Sequence, residues 1–301
     1  MKKVLLLSFL VLIFTSVTAA PQLLDDRWEK AFKAWDSGDF INGLRGFDAL
    51  LKAPDTLACW RDIGQNIPVP TSILVVSAHW EARHNTVSLS GAPETVHDFG
   101  GFSSALNRIR YPAPGAPALA ERVVALLSAS GLPVDIHPTR GLDHGAWVPL
   151  YAMFPQANVP VTQLALAQNG NAQSNYALGQ MLAPLRDEGV LILASGAITH
   201  NFGWLDWHAT GNQAPLPQAR TFSDWVAGRL AVQDVPALLA YRLAPFGAES
   251  HPSEDHFLPL LVALGAACGD APQRLQPSYT YGSLAMDAYV WRHAENTAPV
   301  E

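Results

Sequence analysis

Histidines are the residues of this chain whose type and spacing could do chemistry. The 301-residue sequence has ten, and none of them precedes His79. Imidazole nitrogen binds zinc, iron, copper and nickel, and its pKa near neutrality also suits it to proton transfer. A single histidine is more often a structural residue, but nine of the ten fall between His79 and His256. This clustering favours a site built from histidine side chains.

The strand expected to organise the fold runs over residues 72–80 and carries His79 near its end. Its apolar, β-branched sequence is typical of a strand that is buried on both faces of a parallel sheet. Ligands of such sheets bind beyond the carboxyl ends of the strands. His79 therefore stands where a metal or a substrate would bind.

Three further histidines occupy comparable positions. His144 comes after a strand predicted over 132–137, and His200 comes after one predicted over 190–194. His256 is expected to open a helix, with Ser253 as its N-cap residue. Four histidines in such positions predict convergence on one cleft.

Composition bounds the class of protein. Hydrophobic residues make up 49% of the chain and charged residues 15%, which is typical of a globular domain with a sizeable core. The net charge of −7 and the lack of a Lys/Arg block argue against nucleic acid or an anionic membrane as a partner. The two cysteines, Cys59 and Cys268, are interpreted as separate thiols rather than as one bridge.

Strand and helix patterns alternate along most of the chain. We therefore predict an α/β fold with a single domain, a mostly parallel central sheet and helices on both faces. Beyond those already named, strands are expected over 86–90, 159–165 and 281–291, and helices over 57–63, 118–130, 175–186, 221–231 and 236–243.

The amino-terminal region differs from the rest. Residues 1–20 combine a basic start, an apolar stretch over Val4–Phe14 and small residues at the exit, which is the layout of a secretory signal peptide. The alternative is a buried first strand. Residues 21–56 are predicted to form an amino-terminal helical segment, and 57–301 the catalytic domain. A genuine signal would make the protein periplasmic or secreted; otherwise it would be cytoplasmic.

Several common catalytic patterns are missing. The sequence contains no HExxH zinc-protease motif, no GxSxG nucleophile elbow, no P-loop and no dinucleotide fingerprint. Two histidines and a carboxylate around an ion with open positions would instead be the arrangement of non-haem Fe(II) enzymes.

Several motifs together resemble those of the class III extradiol dioxygenases, and within that family the DOPA 4,5-dioxygenase-like branch. The resemblance covers residues 57–291 in order. Its motifs are Ser77-Ala78-His79-Trp80, His97-Asp98-Phe99-Gly100-Gly101-Phe102, Asp143-His144-Gly145-Ala146-Trp147, Thr199-His200-Asn201, the segment from His251 to Leu260, and Gly282-Ser283-Leu284-Ala285-Met286-Asp287.

The resemblance implies a single non-haem metal, Fe(II) in the active enzymes with Zn(II) as the alternative ion. It implies that His79 and His256 are metal ligands and that His200 is the third candidate, either bound to the metal or transferring a proton beside it. His144 would be the acid or base near the substrate, and His251 would orient His256. The expected substrates are a catechol-type aromatic compound and O2.

One departure from the family pattern bears on activity. The family begins with a strand that ends in a His-Gly-Ser/Ala-Pro motif, whose histidine is a metal ligand, and no histidine precedes His79 here. Asn42 and Asp48 are the nearest replacements. The alternatives are therefore a non-catalytic descendant that binds zinc or a small aromatic compound, and, as a third hypothesis, a zinc hydrolase. The sequence does not indicate an oligomeric state.

Overall fold

The structure, a computed structural model, describes residues 54–99, 106–206, 214–275 and 279–292. The signal-like segment, most of the amino-terminal helical segment, Asn42 and Asp48 lie outside these ranges, and the proposed domain boundaries stay predictions. Within the described ranges, no helix has the length and apolar character needed to cross a bilayer.

A five-stranded sheet lies at the centre of the fold, in the order β3-β2-β4-β1-β5. Strand β1 pairs in parallel with β4 and β5, and β2 pairs in parallel with β3, whereas β2 and β4 are antiparallel. The predicted mostly parallel α/β sheet is therefore confirmed. The strands are β1 Ser72–Ala82, β2 Asn85–Ser88, β3 Val134–His137, β4 Val161–Ala167 and β5 Val190–Ser195.

Nine helices surround the sheet in the described part of the chain. The helix predicted over 175–186 is split in two, because Pro184 has no N–H to continue the hydrogen-bond ladder and starts a new helix instead. The helices are α1 Pro54–Gln65, α2 Pro117–Ala129, α3 His144–Met153, α4 Ala172–Leu182, α5 Pro184–Asp187, α6 Pro217–Ala231, α7 Val235–Leu239, α8 Gly247–Ser250 and α9 Leu258–Ala266.

The last strand is much shorter than predicted. Within 281–291 only β7 (Ala288–Val290) is a strand, and it pairs with β6 (Gln273–Leu275) in a separate two-stranded ribbon. Tyr281 and Gly282 both have positive φ, at 50° and 71°, which turns the chain back instead of extending it. The prediction of a strand from 281 was wrong for this reason.

Strand β1 supplies both halves of the core. Ile73 and Val75 pack on one face of the sheet in the cluster that includes α1 and α3, while Leu74 and Val76 pack on the other face with α2, α4, α6 and α9. Burying an aliphatic side chain of this size contributes about 1.5–3 kcal/mol. Helices on both faces therefore clamp the strand that carries His79.

The pairing of β1 becomes irregular next to His79. Val76 is opposite Leu164 of β4, but the next paired residue is Glu81, opposite Leu166, so β1 advances five residues while β4 advances two. Such bulges bend a strand and redirect its side chains, and they are frequent beside active sites. His79 lies inside this irregular stretch.

A buried aromatic box encloses His251. The ring centroids of Phe222, Tyr241 and Phe257 lie 5.8, 5.9 and 5.1 Å from the His251 ring, which is 0% exposed. His251 Nε2 donates to the carbonyl of Ile198 at 2.9 Å. Burial, the largest cause, lowers the pKa of His251 to about 3. The folded chain therefore holds this imidazole neutral.

We expect the free energy of unfolding to fall as the pH drops below about 6.5, where His251 is protonated only in the unfolded chain. The loss should continue down to pH of about 3, where the folded state protonates too. At pH 5, protonation of His251 in the unfolded chain lowers the free energy of unfolding by about 2 kcal/mol. His251→Gln, which keeps a donor for Ile198 but does not titrate, should show a shallower loss between pH 7 and pH 5. Urea unfolding measures both slopes, and equal slopes would contradict the expectation.

Candidate active site

Four histidines from distant parts of the chain meet at the carboxyl end of the sheet. The ring centroid of His79 lies 4.2 Å from that of His144 and 5.0 Å from that of His256. His200 stacks on His256, with ring centroids 3.5 Å apart. His144, His200 and His256 are only 1%, 7% and 5% exposed. The structure thus brings together all four histidines that the sequence singled out.

His79 comes from the irregular end of β1, and the start of α3 lies directly against it. A Cβ atom on Gly145 would lie 2.4 Å from Ser77 Oγ and 3.0 Å from Cδ2 of His79. Real Cβ atoms do not approach so closely, so only glycine permits this contact. Gly145 thereby lets the first turn of α3 bring His144 beside His79.

A buried carboxylate fixes the start of α3. Asp143 is its N-cap residue and accepts a hydrogen bond from the backbone of Ala146 at 3.2 Å. Ser77 Oγ and Gln163 Nε2 each donate to Asp143 at 2.8 Å. Burial, followed by the charge of Asp98, raises the pKa of Asp143, while these side-chain hydrogen bonds oppose the rise. The network ties β1, β4 and α3 together.

Asp98 holds the imidazole of His144. Its Oδ1 accepts from His144 Nδ1 at 2.8 Å and from the His144 backbone N–H at 3.0 Å. Burial would raise the pKa of Asp98, but the hydrogen bond and charge of His144 lower it overall. Because Nδ1 carries the donated proton in this pair, a neutral His144 keeps its lone pair on Nε2.

The loop after β5 carries His200 and is joined by its backbone to the His256 segment. Ala197 N–H donates to the carbonyl of His256 at 2.7 Å, and His200 N–H donates to the carbonyl of Ser250 at 2.8 Å. A Cβ on Gly196 would lie 2.3 Å from the His256 carbonyl oxygen. Gly196 therefore allows the two segments to touch, and their histidine rings stack.

His256 does not open a helix, contrary to the prediction. Helix α9 begins two residues later at Leu258, with Phe257 at the N-cap and no side-chain cap hydrogen bond. Pro259 is the second residue of α9, in the first turn, where the N–H that proline lacks would have no acceptor within the helix. His256 lies in the turn before this helix, and Ser253 is not its cap.

Asp255 holds the imidazole of His256. Its carboxylate accepts a short hydrogen bond from His256 Nδ1. Burial would raise the pKa of Asp255, but the hydrogen bond and charge of His256 hold it well below the usual range. His251, which the resemblance expects to orient His256, donates through Nε2 to the carbonyl of Ile198.

Two imidazole nitrogens in this cluster suit a metal ion. Among the described residues, the buried Nε2 atoms of His79 and His256 have no hydrogen-bond partner. Burial, and then the neighbouring His144, His256 and His200, strongly lower the pKa of His79, which keeps that ring neutral. A buried acceptor without a partner costs about 1–3 kcal/mol, and neutral imidazole is the form that binds a metal.

The most compact group of ligand atoms differs from the predicted one. In the described residues, one atom each from His79, Asp98 and His144 lie within 4.8 Å of one another. The predicted ligands were His79, His200 and His256. Sequence reasoning missed Asp98 and Asp255 as histidine partners, although both lie within the motifs quoted above and Asp255 is adjacent to His256.

An apolar groove borders the site. It has a volume of about 490 Å³, is lined by the residues of β5 and includes His256 in its lining. Its walls include Trp60 of α1, Leu193 of β5 and Leu260 of α9. Among the four clustered histidines, only His256 borders this groove.

Comparison with known proteins gives a family for the whole described region. Residues 52–290 match the family model of the catalytic LigB subunit of aromatic ring-opening dioxygenase. The chain is 40% identical over 231 residues to a protein of Escherichia coli K12 named 4,5-DOPA dioxygenase extradiol, covering 75% of this chain and 84% of the relative. A protein of the same name from Beta vulgaris is 42% identical over 223 residues, covering 73% of this chain and 82% of the relative.

A solved structure agrees with this result. The crystal structure of an uncharacterized protein from Escherichia coli K12 superimposes with a TM-score of 0.65 at 36% identity, covering 77% of this chain and 90% of that one. The resemblance to the DOPA-like branch of the class III extradiol dioxygenases, drawn from the histidine motifs, is confirmed. The chain therefore belongs to the LigB family of aromatic ring-opening dioxygenases, which are oxidoreductases.

Proposed function

We propose that this protein cleaves the ring of a catechol-type aromatic substrate with O2 at a mononuclear non-haem metal, Fe(II) in the active form with Zn(II) as the alternative ion. One observation carries the proposal: in a LigB-family chain, four imidazoles converge, and the buried Nε2 atoms of His79 and His256 have no hydrogen-bond partner within the part of the chain that the structure describes. The names of the relatives support an aromatic diol as the substrate class.

His79, His256 and His200 are the proposed metal ligands. The compact group around Asp98 supports a rival set, but Oδ1 of Asp98 already accepts two hydrogen bonds from His144. A carboxylate engaged in this way is better suited to orienting a histidine than to holding the ion. When bound, a ferrous ion would supply the redox chemistry that couples an aromatic diol to O2.

His144 and His200 are the proposed catalytic residues. Asp98 fixes the proton of His144 on Nδ1, so Nε2 can accept a proton from a substrate hydroxyl and return it later. His200 is stacked on His256 and is in edge contact with Phe202, with ring centroids 4.8 Å apart. It is placed either to bind the metal or to transfer a proton beside it.

Aromatic side chains shield the proton-transfer residue from water. The ring of Phe99 meets His144 edge-on, with centroids 5.7 Å apart, and lies 6.3 Å from Trp147. Excluding water strengthens the hydrogen bonds and charge interactions within a site. This wall also offers a flat apolar surface against which an aromatic ring can pack.

A second function is favoured by the absence of any histidine before His79. A chain that lacks the family's first ligand could bind zinc or an aromatic compound without oxidising it. Anaerobic loading of the purified chain with Fe(II), followed by a catechol and air, separates the two functions. Oxygen uptake with a yellow ring-opened product supports the dioxygenase. Tight zinc binding without oxygen uptake supports the non-catalytic descendant.

Substitution of the ligands distinguishes the two ligand sets. We expect His256→Gln to lose most of the bound metal, since it removes a ligand nitrogen, and Asp98→Asn to retain it. Metal content after dialysis measures both, with His84→Gln as control because His84 pairs with Asp135 on the surface at 3.1 Å. Retention by His256→Gln together with loss by Asp98→Asn would favour the set containing Asp98.

Removing the proposed base should spare metal binding. We expect His144→Gln to lower kcat by about 10²–10⁴-fold, the usual value of general acid–base catalysis. Its metal content should equal that of the unsubstituted chain, because His144 is not among the proposed ligands. Steady-state oxygen consumption and metal analysis measure the two effects. A fall in metal content that matches the fall in rate would assign His144 to the metal instead.

A further inference from the structure

We propose that Asp255 is a positioning residue that fixes the imidazole of His256 with Nε2 directed toward the bound metal. The inference rests on the proposed function, because it requires a metal at His256. It assigns to Asp255 a role in metal affinity that neither the family match nor the neighbouring motif residues specify.

The hydrogen bond between the two residues sets the chemistry of the ring. Nδ1 of His256 donates to the carboxylate of Asp255. In a neutral imidazole the proton on Nδ1 leaves the lone pair on Nε2, a buried atom to which the described residues offer no hydrogen bond. A carboxylate behind a metal-binding histidine fixes both its tautomer and its orientation, and makes it a stronger ligand.

The backbone of His256 is already fixed, so the ring orientation is what remains to be set. Its carbonyl accepts from Ala197 at 2.7 Å and packs against Gly196. The side chain can still rotate about χ1 and χ2. Asp255 and the stacked ring of His200 are the contacts that restrict this rotation.

A purely structural role for Asp255 has little support. Acidic residues often stabilise a helix start, yet α9 has no acidic residue in its first turn and no side-chain cap hydrogen bond. Asp255 is only 21% exposed at its side chain, so it is not a freely solvated surface charge. Its contacts are directed to His256 and Ser253.

The neighbouring carboxylate provides a matched control. Glu254 is one residue away in the same turn, but its side chain is 37% exposed and faces Arg242 at 3.6 Å. Removing its carboxylate changes the charge of the segment by the same amount without touching the histidine ring. Glu254→Ala should therefore leave the metal affinity unchanged.

The experiment measures Zn(II) affinity of the full chain by competition with a chromophoric chelator. We expect Asp255→Ala to bind Zn(II) about 10–100-fold more weakly, the usual effect of losing such a partner. Asp255→Asn, which keeps a neutral acceptor for Nδ1, should lie between the alanine variant and the unsubstituted chain. This graded order is a readout that a general loss of stability would not produce.

Each outcome has a separate meaning. If the unsubstituted chain binds no Zn(II) or Fe(II), the proposed function fails, and the role of Asp255 fails with it. If the unsubstituted chain binds Zn(II) and Asp255→Ala binds it as tightly, only the role of Asp255 is overturned. Asp255→Ser, whose side chain is too short to reach Nδ1, replaces the alanine variant if that variant does not fold.

Discussion

The crowding of imidazoles in a region nearly closed to water is the constraint on which the site depends. A positive charge on any of these rings would be buried and would repel the others, so His79 is held neutral. A neutral ring must place one N–H and one lone pair. Asp98 and Asp255 receive the N–H of His144 and His256. These two hydrogen bonds therefore determine which ring nitrogen of His144 and of His256 carries the lone pair.

The surrounding fold holds the four histidines in fixed positions. Two glycines allow backbone segments to touch where any side chain would keep them apart: Gly145 between α3 and β1, and Gly196 between the β5 loop and the His256 segment. Asp143 joins three elements by hydrogen bonds beneath the histidines. The site is thus assembled mainly from backbone contacts, and the imidazoles extend from a rigid base.

The sequence predicted the parts of this arrangement that depend on local pattern. The apolar run before His79 and the one before His200 identified two adjacent parallel strands, and parallel strands bring their carboxyl ends to one edge. The start of α9 was mispredicted because Ser253 and the acidic residues after it resemble a helix cap, whereas the helix begins at Leu258 with Phe257 at the N-cap and no side-chain cap hydrogen bond. The pairing of Asp98 with His144 joins residues 46 apart, and no local pattern encodes it. The bulge in β1 was also hidden, because its apolar sequence is equally compatible with regular pairing.

That bulge has a consequence for how this chain can change over evolution. Most of the paired residues of β1 come before it, from Ser72 to Ser77 opposite β5 and from Ile73 to Val76 opposite β4, and Glu81 and Ala82 pair with β4 again after it. His79 lies between these paired stretches and has no partner in either ladder, so a replacement there would leave the ladders on both sides of the strand untouched. The residues of β1 that form the sheet are therefore different from the residue that carries the chemistry. A descendant that has lost its reaction can remain well folded and can acquire a different ligand.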